Sequence, residues 1–347
     1  MNKKNAIVRS DCEHICTVGR IPWDALRGKS FLITGATGLL GKNMIWALLY
    51  ANHKFHLGMT VFALVRDENK AKNELGEDPA LVFLPGNVFS VPEIIEPIHY
   101  IVHGASMTDS RSFVQRPAEV MLTAAEGTKN LLEAAAKKQV HGFVYLSSME
   151  VYGTPKKGTP VKEEDIAGFL PENPRNSYPI SKQYCEALCC AYASQYKVPA
   201  KVVRLTQTFG PGVVYNDNRV FAQFMRCAIE KKDIVLKTRG ETERCYLYTA
   251  DAVEAILTVL LKGNIGECYT AANPETYCSI AQMAELVASQ IAKGTISIKY
   301  DIAPNNRTGY ADTLFMQLDI SKISALGWKP HIALPDMFIR MMEAQEI

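Results

Sequence analysis

Tyr178 and Lys182 stand four residues apart at the start of a helical stretch, so they share one face of that helix. A phenol has an ordinary pKa of about 10, too high for a base at neutral pH. A nearby ammonium and a positively charged nicotinamide ring both favour the phenolate and lower that value. Tyr178 can then take a hydroxyl proton while the ring accepts hydride from the same carbon. Upstream stands Ser147-Ser148-Met149-Glu150. On an extended strand Ser148 and Glu150 point to one side. Ser148 is placed to bond the reacting oxygen, and Glu150 to act as a base on a carbon whose hydrogen a ketone has acidified. Ser147 reads as a strand-end hydrogen bonder.

A second group of residues fits a dinucleotide. Thr34-Gly35-Ala36-Thr37-Gly38-Leu39-Leu40-Gly41 lies between an apolar run and a helix. Gly35 permits the tight turn, Gly38 lets backbone approach a pyrophosphate, and Gly41 allows close helix packing. Thr37, Leu39 and Leu40 complete a cradle in which free amides and the helix dipole meet the phosphates. The next strand ends Leu64-Val65-Arg66-Asp67. A carboxylate there suits the ribose hydroxyls of NAD, and a basic residue the 2′-phosphate of NADP. Arg66 leans toward NADP, while Asp67 leaves NAD open. Asn87 falls where an adenine-edge contact is expected.

Positioning these groups requires alternating strands and helices. The pattern predicts strands at 31–34, 61–65, 81–84, 100–103, 142–147 and 200–205, with helices over 42–51, 118–138 and 178–196. The strands are continuously apolar, as in a parallel sheet covered on both faces. Beyond Gly210 the rhythm loosens into helices at 219–230, 251–261 and 280–292 and a strand at 234–236. The expected division is an N-terminal extension over 1–28, a dinucleotide-binding domain over 29–207 with 240–262, and a substrate lobe from 208–239 and 263–347.

The 347 residues are 48% hydrophobic and carry a net charge of only +2. That balance supplies no basic footprint for nucleic acid. No apolar run approaches the roughly 20 residues that span a bilayer, and the first thirty residues lack a signal peptide's apolar centre. The expectation is a cytoplasmic protein whose nine cysteines are reduced. Cys12, His14 and Cys16 have no second ligand pair at a usual spacing, so no metal is expected. Trp23 and Leu26 are expected to pack the N-terminal extension onto the sheet edge.

Together these motifs resemble the extended short-chain dehydrogenase/reductase family, in particular its nucleotide-sugar epimerases, dehydratases and decarboxylases. The resemblance runs from about Gly28 onward. It is carried by the glycine turn, His103-Gly104-Ala105-Ser106, 127–134, 147–153, Tyr178 to Lys182, 204–211, 244–251 and 319–330. It implies an α/β fold, a Rossmann-type doubly wound parallel sheet with a smaller C-terminal substrate lobe, a tightly held cofactor and a homodimer. It also places Val88, Gly104, Ala105 and Ser106 at the cofactor. Ser148 matches the catalytic Ser/Thr, and Glu150 the glutamate of dehydratases and decarboxylases.

Three positions depart from that pattern. Met149 stands where dTDP-glucose dehydratases carry an aspartate as general acid, and a thioether donates no proton. Ala124 and Gln207 both replace asparagines. In the substrate lobe, Asn218-Arg219-Val220 and Arg244-x-x-x-Tyr248-x-x-Asp251 resemble segments of UDP-glucuronate decarboxylases. Arg244 suits a diphosphate. Arg219 fits a phosphate contact and a surface position equally, and Thr108 and Asp109 fit sugar contacts and loop caps equally. Gln207 falls among the substrate contacts. The expected reaction is oxidation of a nucleotide-linked sugar at C4 to a 4-keto intermediate. A net NADPH-dependent ketone reductase and a non-catalytic cofactor-sensing scaffold are the alternatives.

Overall fold

A computed structural model describes residues 6–302 and 313–345. Its main layer is a parallel sheet built from β1 (Ser30–Thr34), β2 (Thr60–Val65), β3 (Leu81–Pro85), β4 (Tyr100–His103), β5 (Gly142–Ser148), β6 (Ala200–Leu205) and β10 (Cys268–Ala271). The spatial order is β3-β2-β1-β4-β5-β6-β10. The order reverses between β1 and β4, where Thr34 lies opposite His103. That reversal opens a crevice at the strands' carboxyl ends, the usual ligand position in such sheets.

Alternate residues along each strand enter two different cores, which explains why the strands read as unbroken apolar runs. Phe31, Ile33, Val61 and Ala63 pack with α2 (Leu39–Phe55) and α8 (Thr249–Lys262). Leu32, Phe62, Phe143 and Tyr145 pack with α5 (Pro117–Lys138) and α6 (Ser177–Tyr196). Pro117 begins α5, where its missing amide hydrogen costs nothing.

The sheet extends further along the chain than expected. Cys268–Ala271 was placed in the substrate lobe by its sequence position, yet it pairs in parallel with β6 as the seventh strand. Tyr269 and Ala271 are fully buried there, so the extra strand covers apolar surface that β6 would otherwise expose.

The N-terminal extension also differs from expectation. It contains a helix, α1 (Ala6–Thr17), whose Val8, Cys12, Ile15 and Cys16 are buried in the core shared with α2 and α8. Trp23 stacks on Phe55 at the end of α2, 6.3 Å between ring centroids, and Leu26 is fully buried. Both residues therefore dock on the helical layer and not on the sheet edge. Among the described residues, no helix is long and apolar enough to cross a membrane.

The remaining elements form a smaller unit over the carboxyl end of β6. In it β7 (Gln207–Phe209), β9 (Glu243–Tyr248), β11 (Asn273–Ser279) and β13 (Phe315–Met316) make a four-stranded sheet. The strands β8 (Ile234–Leu236) and β12 (Ile298–Tyr300) pair in parallel. The helices α7 (Val220–Glu230), α9 (Ile280–Leu286) and α11 (Leu334–Glu343) accompany them. Trp328, in the C-terminal segment the sequence singled out, is fully buried and donates from Nε1 to the Asp251 carbonyl at 3.1 Å.

Candidate active site

The glycine turn is a piece of close packing. Gly35 has a φ of +69°, and a Cβ on it would meet the Gly104 carbonyl carbon at 2.8 Å. A Cβ on Gly41 would lie 2.1 Å from the Gly35 oxygen. Gly38 caps α2 with extended backbone and no side-chain cap, so the first amides of the helix keep their donors free beside the crevice. An uncapped helix N-terminus over such a turn fits a pyrophosphate.

His103 fixes the opposite wall. It is buried between Thr34 Oγ1, 2.7 Å from Nδ1, and Thr128 Oγ1, 3.2 Å from Nε2. Burial first, then the charge of Lys182, pulls its pKa down to about 3, so the ring is neutral. Thr34 Oγ1 in turn accepts the Ala105 amide at 3.2 Å. This chain pins Gly104 and Ala105 against Gly35. Ser106 follows half-buried, at the mouth of the crevice.

At the adenosine end, the side chains sort differently from their sequence reading. Asp67 caps α3 (Glu68–Leu75), its Oδ1 accepting the Lys70 amide at 2.9 Å. Arg66 is exposed and makes no hydrogen bond or ion pair among the described residues. Asn87 Oδ1 accepts the amides of Phe89 and Ser90, which leaves only its Nδ2 donors for a base edge. Val88 is buried, with Cγ2 2.8 Å from where a Cβ on Gly127 would sit. That contact is why helix α5 carries a glycine at this point.

The four expected chemical groups converge. Ser148 ends β5 and caps a short 3-10 turn, Met149–Tyr152, accepting the Glu150 amide at 3.2 Å. Ser148 also stands close enough to the Tyr178 hydroxyl to favour its charged form. Lys182 is buried, donates to the Leu146 carbonyl at 2.8 Å, and lies with Nζ 5.6 Å from the centre of the Tyr178 ring. Burial draws the Lys182 pKa down to about 8. Burial pushes the Tyr178 phenol up, and Glu150 adds to that rise, while Ser148, Arg175 and Arg219 oppose it. In the protein alone Tyr178 is therefore a neutral phenol. The sequence argument for a depressed value rests on the cofactor's positive ring more than on Lys182.

Two residues that the sequence reading did not name belong to this cluster. Arg175 Nη2 pairs with Glu150 Oε2 at 3.1 Å, with both side chains about one-third exposed. Its guanidinium also lies 4.9 Å from the centre of the Phe113 ring. Phe113, on α4 (Ser110–Gln115), stacks on Tyr178 with centroids 4.3 Å apart. Arg175 stands three residues before Tyr178, a spacing visible in the sequence, whereas Phe113 lies 65 positions upstream with no local signal.

Other expected residues have partners that narrow their roles. Ser147 donates to Glu186, which also pairs twice with Arg204 in a buried network, so it is structural. Met149 turns away into a separate core with Val151, Tyr152, Cys245 and Leu318, and its sulfur accepts from the Thr206 hydroxyl. Ala124 lies on the buried face of α5 and is core.

On the substrate side, Arg219 is doubly bound to Asp217, at 2.5 Å and 3.0 Å. Arg244 donates to Gln207 at 3.5 Å, and its Nε is buried without a partner. Asp109 is a cap, accepting from Arg111 and Ser112, whereas Thr108 is exposed beside it. Tyr248 and Asp251 serve as anchors. Tyr248 donates to Asp11 of α1 at 2.6 Å, and Asp251 accepts the amides of His331 and Ile332 at 3.1 Å.

A switch-point crevice with a glycine turn and a buried Tyr–Lys pair defines a nicotinamide-dinucleotide enzyme of the Rossmann type. The family model for the NAD dependent epimerase/dehydratase family matches residues 31–272, and the chain belongs to that family. The human dTDP-D-glucose 4,6-dehydratase is 29% identical over 335 residues, covering 90% of this chain and 89% of that one. UDP-glucuronic acid decarboxylase 1 of Xenopus tropicalis is 27% identical over 313 residues, covering 89% of this chain and 70% of that one. The crystal structure of a UDP-glucuronic acid 4-epimerase from Bacillus cereus in complex with NAD has the same fold. Its TM-score is 0.74 at 20% identity, with 91% of this chain and 98% of that one covered. The expected family and fold are borne out, and the chain is an enzyme of this NAD-dependent class.

Proposed function

We propose that the enzyme oxidises a nucleotide-linked sugar at C4 and carries out chemistry on the carbon beside the resulting ketone. One observation carries this reading: Ser148, Tyr178 and Glu150 meet at the end of β5, with Lys182 behind them. Gly35, Thr37, Gly38, Leu39, Leu40, Gly41, Val88, Gly104, Ala105 and Ser106 would hold NAD, with Asn87 Nδ2 at the base. When bound, the dinucleotide supplies the acceptor, and later the donor, of the C4 hydride.

Tyr178 takes the proton from the sugar's O4, and Ser148 bonds the same oxygen. Lys182 supplies positive charge behind the tyrosine ring from its place on the Leu146 carbonyl. Glu150, oriented by Arg175, acts as the base beside the ketone. With Met149 in the core, no proton donor stands at the position where dTDP-glucose dehydratases carry one. That favours decarboxylation or epimerisation over loss of a hydroxyl. Arg244 and Gln207 are assigned to the diphosphate, with Arg219 and Thr108 at the rim. The substrate lobe is assigned to segments 208–239, 243–248, 273–302 and 313–345.

A homodimer in the cytoplasm completes the proposal. Its support is the exposed apolar set Val114, Met121, Leu122, Tyr184 and Tyr196 on α4, α5 and α6. Light scattering at micromolar concentration would report a single-chain mass if this is mistaken.

The test uses purified protein and UDP-glucuronate deuterated at C4, without added cofactor. Deuterium retained in a UDP-linked product supports the reading; absence of turnover across UDP- and dTDP-linked sugars overturns it. The unpaired Arg66 favours one second reading, net reduction by free NADPH. Stoichiometric NADPH consumption in the same assay would establish that reading instead.

A further inference from the structure

A second group of chemically competent side chains lies apart from these residues. His14 of α1, Glu254 of α8 and His331, which precedes α11, each bring a ligand atom within 4.8 Å of the others. The two imidazoles meet edge to face, with centroids 5.1 Å apart. Glu254 is fully buried. Its Oε1 accepts from Arg20 Nη1 at 3.1 Å, while its Oε2 has no partner among the described residues. His14 Nε2 is likewise buried without a partner. An imidazole nitrogen and a carboxylate oxygen left unsatisfied in the same place are costly, and two such atoms facing a third donor call for an explanation.

We propose that His14, Glu254 and His331 bind one divalent transition-metal ion of the zinc class, clamping the first and last helical segments to α8. Two imidazoles and one carboxylate suit a tetrahedral zinc ion, with water as the fourth ligand. The surroundings are arranged as outer-shell partners usually are. Arg20 holds the other oxygen of Glu254 and also donates to the Lys329 carbonyl at 2.6 Å. Asp251 fixes the His331 backbone by accepting its amide. The cysteines flanking His14 do not take part. Cys12 and Cys16 are buried in the core with α2 and are not among the clustered ligand atoms.

The site joins three segments far apart in sequence and shares no residue with the proposed catalytic set, so its occupancy is expected to be read in stability. Ligand binding to the native state alone stabilises it by an amount that grows with the logarithm of free ligand over its dissociation constant. Calorimetric titration of metal-stripped protein with Zn2+ is the test. The expected result is one ion per chain, a raised thermal midpoint, and binding weakened about tenfold or more in both His14→Ala and His331→Gln. His331 is exposed, so the second variant keeps the fold when the first does not. Co2+ loaded into the wild type should show a tetrahedral visible spectrum without an intense thiolate charge-transfer band. Absence of binding, binding in both variants as tight as in the wild type, or a thiolate band would overturn the site. Nucleotide-sugar turnover, measured separately, is expected to persist in His331→Gln.

Discussion

Arg175 holds the carboxylate of Glu150 through a single 3.1 Å contact, and the two come from different elements of the chain. Glu150 follows the end of β5, while Arg175 lies in the turn that leads into α6. The pair is partly exposed, so it contributes no more than about 1 kcal/mol to stability. Its value is orientation, since misplacing a catalytic group by about 1 Å can cost 100-fold in rate. Arg175→Ala is expected to lower kcat about 10- to 100-fold with little change in KM or thermal midpoint. Arg175→Lys should recover part of that loss, because it keeps the charge but not the fork. Unchanged kcat in Arg175→Ala would show that Glu150 needs no such partner.

Tyr178 combines a buried phenol with a ring clamped by Phe113, and these two aspects separate cleanly in Tyr178→Phe. The stacked ring at 4.3 Å stays in place and only the hydroxyl is lost. Removing a general base typically costs about 10²- to 10⁴-fold in rate. The expected outcome is a near-complete loss of turnover with a urea midpoint close to wild type. Retained turnover would remove Tyr178 from the mechanism.

Gly41 of the turn and Gly58, outside it, differ in what they forbid. Gly41→Ala would force a Cβ to within 2.1 Å of the Gly35 oxygen, and both partners are backbone. Gly58 also has a positive φ, +64°, but nothing lies within 4 Å of its would-be Cβ. Gly58→Ala therefore carries backbone strain alone, about 1 kcal/mol. Gly41→Ala adds steric overlap of about 1–3 kcal/mol or more, and should also empty the dinucleotide site. Thermal midpoints and the NAD released on denaturation check both halves. Equal effects of the two substitutions would contradict the packing argument.

The sequence was readable where function depends on local pattern. The strand-turn-helix around Gly35 and the spacing of Tyr178 and Lys182 are short-range features, and their residues adopt the expected elements. Ser147 also behaves as read, because a strand-end serine has few alternatives. What stayed hidden depends on partners brought in from afar. Asp67 has its Oδ1 taken as a helix cap, Arg219 is bound to Asp217, and Met149 faces a core built from β9 and the C-terminal segment. The seventh strand and helix α1 escaped for a related reason. Their short apolar runs resemble many others, and only the uncovered faces of β6, α2 and α8 determine where they go.

His103 provides a test through pH. Its ordinary pKa is 6.5, and burial lowers it to about 3 in the folded protein. Between those values the unfolded chain binds a proton that the folded chain does not. The stabilising preference for neutral His103 is therefore complete above about 6.5 and is lost as pH falls toward 3. Each pKa unit corresponds to about 1.4 kcal/mol, so the full shift is worth on the order of a few kcal/mol. Urea unfolding of the wild type at pH 7.5, 6, 5 and 4 should show stability falling with acidity. His103→Gln has no proton to gain and can still bond Thr34 or Thr128 through its amide. It should start less stable at pH 7.5 and decline less steeply. Parallel declines in the two proteins would show that His103 does not carry the acid sensitivity.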